Sequence, residues 1–90
     1  MTAIHEDQVR ARIRGLVADL SPAAAPEVTP DSRLVDDLEY QSLALLELAF
    51  ALEEEYGLPP IDEAIASRIS MVRDIEQFVL SQLRELQAPA

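Results

Sequence analysis

Apolar residues at Val9, Ile13, Leu16, Val17 and Leu20 recur at spacings of three and four. That periodicity predicts a helix over about His5 to Leu20 with one stripe facing a core. Arg10, Arg12 and Arg14 are expected on its other side. Gly15 lowers helix propensity there without ending the pattern. A second helix is predicted over about Ser42 to Tyr56, built almost wholly of Leu, Ala and Glu, with Gly57 as its stop and Pro59 and Pro60 forbidding continuation. A short helix of one or two turns follows over Asp62 to about Arg68, with Ala64, Ile65 and Ile69 as its apolar positions. The last helix starts near Ser70 or Met71. Its expected face is Val72, Ile75, Phe78, Val79 and Leu83, extended by Leu86. Residues 87–90 read as a frayed end. No strand period and no internal repeat is visible. The expectation is an all-α, four-helix bundle with three longer helices and a short third one.

Between the first two helices lies a connection of about 20 residues. It opens with SPAAAPEVTP, Ser21 to Pro30, whose three prolines stop a helix. Leu34, Val35 and Leu38 are the expected anchors of its second half in the core. A connection this long fits a bundle whose first two helices are not joined by a tight hairpin.

Ninety residues predict a single domain spanning 1–90, structured over about 5–86. Such a domain buries only about 60% of the surface that its unfolded chain exposes. A deep enclosed active site therefore has little room. There is no cysteine, so disulfides and thiolate metal sites are excluded. Met1 to Glu6 shows neither a basic n-region nor an apolar run, and no stretch approaches the roughly 20 apolar residues of a membrane span. A soluble cytoplasmic monomer is expected.

The formal net charge is −10. It sits mostly in the middle of the chain: from Asp31 to Glu63 there are ten acidic residues and one arginine, Arg33. Nucleic acid and anionic membrane surfaces are thereby disfavoured as partners, since both attract cationic stripes. Basic patches on other proteins are the fitting counterpart.

An enzyme is hard to build from these residues. The one histidine, His5, lies near the N-terminus, away from any Ser/His/Asp arrangement. Two glycines, Gly15 and Gly57, make no phosphate loop. Glu53, Glu54 and Glu55 point three ways around a helix and form no metal cage. No catalytic residue and no metal ligand is assigned.

The second helix carries more information. Leu45, Leu48, Ala49, Leu52 and Tyr56 form a complete core-facing stripe. Leu43, Leu46 and Phe50 form another, displaced around the helix and flanked by Glu47, Glu53 and Glu54. Periodicity alone leaves two choices: a neighbouring helix buries this second stripe, or it is an exposed contact patch with an acidic rim. Ser42 begins the helix. Its hydroxyl either caps the helix or serves as a modification site, where a phosphodiester would meet free N–H groups and the positive end of the helix dipole.

Val35-Asp36-Asp37-Leu38-Glu39-Tyr40-Gln41-Ser42-Leu43, continued by Ala44 to Gly57, resembles the phosphopantetheine attachment region of acyl carrier proteins. The likeness runs on through Ile69 to Asp74 and is weakest in the first helix. It implies that a phosphopantetheinyl transferase esterifies Ser42 with 4′-phosphopantetheine from coenzyme A, and that the arm's thiol carries acyl groups as thioesters. It also implies a non-catalytic carrier, loaded by a ligase or acyltransferase acting on acyl or aminoacyl groups and unloaded by a downstream synthase or transferase. Leu43, Leu46 and Phe50 become the contact stripe, with Asp37, Gln41, Glu47, Glu53 and Glu54 around it as further partner-binding positions. Two positions depart from the family pattern: Gln41 stands where the family has Asp, and Glu39 where it has Gly. These departures point to a specialised pathway, polyketide or otherwise. The alternatives are a peptidyl carrier of a nonribosomal pathway and a carrier-like interaction domain that is never modified.

Overall fold

The computed structural model describes residues 5–23 and 27–87. Four helices follow in order: α1 (Glu6–Leu20), α2 (Ser42–Tyr56), α3 (Glu63–Ala66) and α4 (Val72–Gln87). Among the described residues there is no strand; one isolated bridge joins Arg33 and Met71. The expected bundle of three longer helices and one short one is the observed fold. Of the Met1–Glu6 stretch read as lacking a leader pattern, residues 1–4 lie outside the described residues; of the 87–90 stretch expected to fray, 88–90 do so too, while Gln87 is the last residue of α4.

Each long helix contributes one stripe to a common core. From α1 come Ile13 and Val17, from α2 Leu48 and Leu52, and from α4 Val72, Ile75, Val79 and Leu80, all buried. Leu45 and Tyr56 of the α2 stripe pack against that core from its edge. Gly57 ends α2 in the left-handed region, at φ 63°, where a residue without a Cβ sits unstrained, and its N–H returns to the Glu53 carbonyl. The short α3 is capped by the Asp62 carboxylate, which accepts from Ile65 N at 2.9 Å.

The long connection is not structureless. Its middle caps α4: Ser32 and Pro30 carbonyls accept from Val72 N (3.0 Å) and Arg73 N (2.9 Å), two donors that a helix start leaves unpaired. Arg73 also pairs with Asp31. The connection then closes a turn in which Asp37 N and Leu38 N donate to Arg33 O and Tyr40 N donates to Leu34 O. Leu34, Leu38 and Tyr40 are buried by it.

Three expectations are corrected. Val35 is 59% exposed and is no core anchor, because the turn directs Leu34 and Leu38 inward and the residue after Leu34 outward. Leu86 is also 59% exposed. Arg84, two residues earlier, already pairs with Glu6 at the first residue of α1, so the end of α4 outruns its packing partner. Arg10 and Arg14 do not lie wholly on the solvent side. They border the core and grip a fully buried Glu76 on α4, at 2.9 and 3.5 Å. A carboxylate in that position is tolerated only with such partners.

Candidate functional site

The α2 N-terminus is built by the preceding turn. Gln41 holds the N-cap position in extended backbone, φ −117° and ψ 175°, and its side chain caps nothing. Its carbonyl accepts the first helical bond, from Leu45 N at 2.8 Å. Ser42 is the first helical residue and is exposed. Among the described residues its hydroxyl makes no hydrogen bond, so it does not cap the helix. The N–H groups of Ser42, Leu43 and Ala44 likewise find no protein acceptor among the described residues. A serine hydroxyl thus stands in solvent beside three unpaired donors at the positive end of a 15-residue helix.

Two short hydrogen bonds fix the approach to this serine. Ser21 Oγ donates to Leu38 O at 2.7 Å, and the Tyr40 hydroxyl donates to Val17 O at 2.7 Å. Both tie the segment to the C-terminal end of α1, where Val17 would otherwise have an unpaired carbonyl. Burial pushes the Tyr40 hydroxyl up to about 12, with the Asp19 carboxylate adding to the shift. Between these tethers Glu39 adopts φ 60°. Neither Tyr40 nor Ser21 stands out as functional in the sequence. The nearest signal is a lone aromatic in an otherwise acidic loop.

The second apolar stripe is exposed. Leu43, Leu46 and Phe50 are 69%, 52% and 58% accessible. Single exposed apolar residues are ordinary, but three at helical spacing on one face form a patch. Glu47 and Glu54 are exposed beside it, as are Asp37 and Gln41 on the loop side. Two of the acids are engaged internally: Asp37 accepts from Arg33 N at 2.8 Å, and Glu53, half-buried, accepts from Ile61 N at 2.9 Å. Glu55 pairs with Arg12 of α1 at 3.0 Å, so the glutamate triplet does diverge. Among the described residues no cluster of three metal-ligating side chains occurs, and no helix is long and apolar enough to cross a membrane. The apolar crevice between α2, α3 and α4, lined by Leu45, Leu48, Ile61 and Ile69, holds only about 70 Å³.

The sequence pattern described as a phosphopantetheine attachment site matches residues 11–79. The acyl carrier protein of Solidesulfovibrio magneticus is 39% identical over 71 residues, which cover 79% of this chain and 90% of that one. The chain belongs to the acyl carrier protein family. The meromycolate extension acyl carrier protein of Mycobacterium leprae is 29% identical over 77 residues, 86% of this chain and 66% of that one. Among solved structures, the acyl carrier protein of Thermotoga maritima shares the fold with a TM-score of 0.74 at 18% identity, covering 97% of this chain and all of that one. The acetyl actinorhodin acyl carrier protein of Streptomyces coelicolor aligns with a TM-score of 0.61 at 27% identity, covering 94% and 96%.

An acyl carrier protein carries acyl groups on a covalently attached 4′-phosphopantetheine, whose thiol holds them as thioesters, and it works with phosphopantetheinyl transferases and acyl-handling enzymes. The α2 N-terminus fits such an arm. A phosphodiester needs an accessible hydroxyl and donors for its anionic oxygens, and both are present.

Proposed function

We propose that Ser42 is the attachment residue and that the chain presents acyl intermediates of a polyketide or other specialised-metabolite pathway to partner enzymes. The carrying observation is the exposed Ser42 hydroxyl, bonded to no group among the described residues and placed beside unpaired N–H donors. In the loading step Oγ attacks the coenzyme A phosphorus that bears the pantetheine. The new O–P bond replaces the pyrophosphate bond, adenosine 3′,5′-bisphosphate leaves, and the serine proton passes to the transferase. Once loaded, the carrier supplies tethered substrate at high effective concentration. Leu43, Leu46 and Phe50, rimmed by Glu47 and Glu54, form the surface that partners read. The specialised pathway is supported by the likeness to the actinorhodin carrier and by the departures at Glu39 and Gln41.

Those departures also favour a second reading, a carrier-like domain that binds proteins and is never modified. Incubation with coenzyme A and a promiscuous phosphopantetheinyl transferase, followed by intact mass, separates the two. One added phosphopantetheinyl group, lost in Ser42→Ala, supports the carrier. An unchanged mass with several transferases favours the interaction domain.

A further inference from the structure

We propose that Glu39 is a specificity-determining contact: the carboxylate by which the transferase that esterifies Ser42 orients this carrier, engaging an arginine or lysine on that enzyme. The inference rests on Ser42 being the modified residue and adds the contact that selects the loading enzyme.

Charge placement is the first observation. From Asp37 to Glu47 the chain holds one other acid, Glu39, three residues ahead of Ser42. Gln41, next to the serine, is neutral. The nearest loop carboxylates are already engaged, Asp37 by Arg33 N and Asp36 by the Arg33 guanidinium, whereas Glu47, further along α2, is exposed and has no partner among the described residues. The Glu39 carboxylate is exposed and has no partner among the described residues.

Backbone conformation is the second. Glu39 stands at φ 60°, where a residue with a Cβ is strained and glycine is not. An exposed glutamate there returns nothing to the fold for that strain. Both neighbours are buried and tied to α1, through Ser21 Oγ to Leu38 O and Tyr40 Oη to Val17 O, and Tyr40 N is held by Leu34 O. The backbone of Glu39 is therefore held between two anchored neighbours, three residues ahead of Ser42. A preplaced charge of this kind guides encounter and orientation, and it acts most strongly at low ionic strength.

The test is arm transfer from coenzyme A by the transferase of the same cell, followed by intact mass on the full chain, for wild type, Glu39→Gln and the remote control Glu85→Gln. Glu39→Gln keeps the backbone strain and removes the charge, so its unfolding midpoint should match wild type. Its kcat/KM should fall about three- to tenfold at low salt, through KM, with the gap closing near 0.5 M salt. Glu85→Gln should load like wild type. Equal low-salt loading rates for Glu39→Gln and a wild type that does gain the arm overturn the docking contact alone. So does a loss confined to kcat, which would make Glu39 a support for serine placement. A wild-type chain that never gains the arm overturns the Ser42 reading and this inference with it.

Discussion

The Tyr40 hydroxyl meets the Val17 carbonyl at 2.7 Å across 23 residues of chain, inside the core and two residues from the exposed serine. The bond serves both partners, since Val17 lies in the last turn of α1, where carbonyls lack helical donors. Tyr40→Phe should therefore cost about 1–2 kcal/mol in denaturant unfolding near neutral pH. The pH dependence has a definite sign. The folded hydroxyl titrates near 12, above its ordinary value of 10.0, so its contribution is intact below 10 and is lost as pH rises through 12. Deprotonation favours the unfolded chain between those two values. The advantage of wild type over Tyr40→Phe should therefore shrink across that window, and a gap that stays constant to pH 12 would refute the buried-hydroxyl account.

Glu39→Gly should stabilise the fold. Relief of a left-handed backbone is worth about 1–2 kcal/mol for a residue with a Cβ. The glycine adds unfolded-state entropy worth about 0.4–1 kcal/mol in the opposite direction. The balance is a gain of about 0.5–1 kcal/mol, read as a higher urea midpoint at unchanged slope. A loss of stability would mean that the Glu39 side chain supports the loop.

The helices were legible because periodicity and stop signals agree. Around α2, the Gly57 stop and the two prolines beyond it mark an end that the structure keeps at Tyr56. Packing between distant segments was less legible. Glu76 lies outside the apolar face expected of the last helix, yet it is buried, where Arg10 and Arg14, one turn apart on α1, reach across to it. Tyr40 in an acidic loop gives no periodic signal, and its burial depends on where α1 ends. The serine's position was visible in the sequence. Its freedom from capping was not, because that depends on the neighbouring Gln41 taking the N-cap place.

Asp74 should hold the start of α4 in a pH-dependent way, by bonding the two residues that precede the helix. One carboxylate oxygen accepts from Ser70 N and Met71 N, both at 3.0 Å, and these bonds hold its pKa below the ordinary carboxylate value. A depressed folded pKa means that the stabilisation is present above about pH 4 and is lost as pH falls through the folded value. Asp74→Asn should cost about 1 kcal/mol at pH 7, in line with the loss of a helix cap. The difference from wild type should fade on acidification, as followed by thermal unfolding at a series of pH values.

The two stripes of α2 should separate stability from delivery. Leu48 and Leu52 are nearly fully buried, so truncation of either to Ala should cost about 2–5 kcal/mol, depending on how far the core collapses around the cavity. Phe50 lies two residues before Leu52 but is 58% exposed, and Leu46 is 52% exposed. Their truncation removes little packed surface and should change stability by no more than about 0.5 kcal/mol. Transfer of an acyl group from the loaded carrier to a partner enzyme should fall all the same, since apolar anchors at the centre of a contact contribute most of its binding energy. Glu47→Gln, at the rim, should act mainly on the association rate and lose its effect at high salt. Urea midpoints and acyl-transfer rates measured on the same variants test the division. A Phe50→Ala variant that unfolds as readily as Leu52→Ala would place the second stripe in the core and remove the surface that partners are proposed to read.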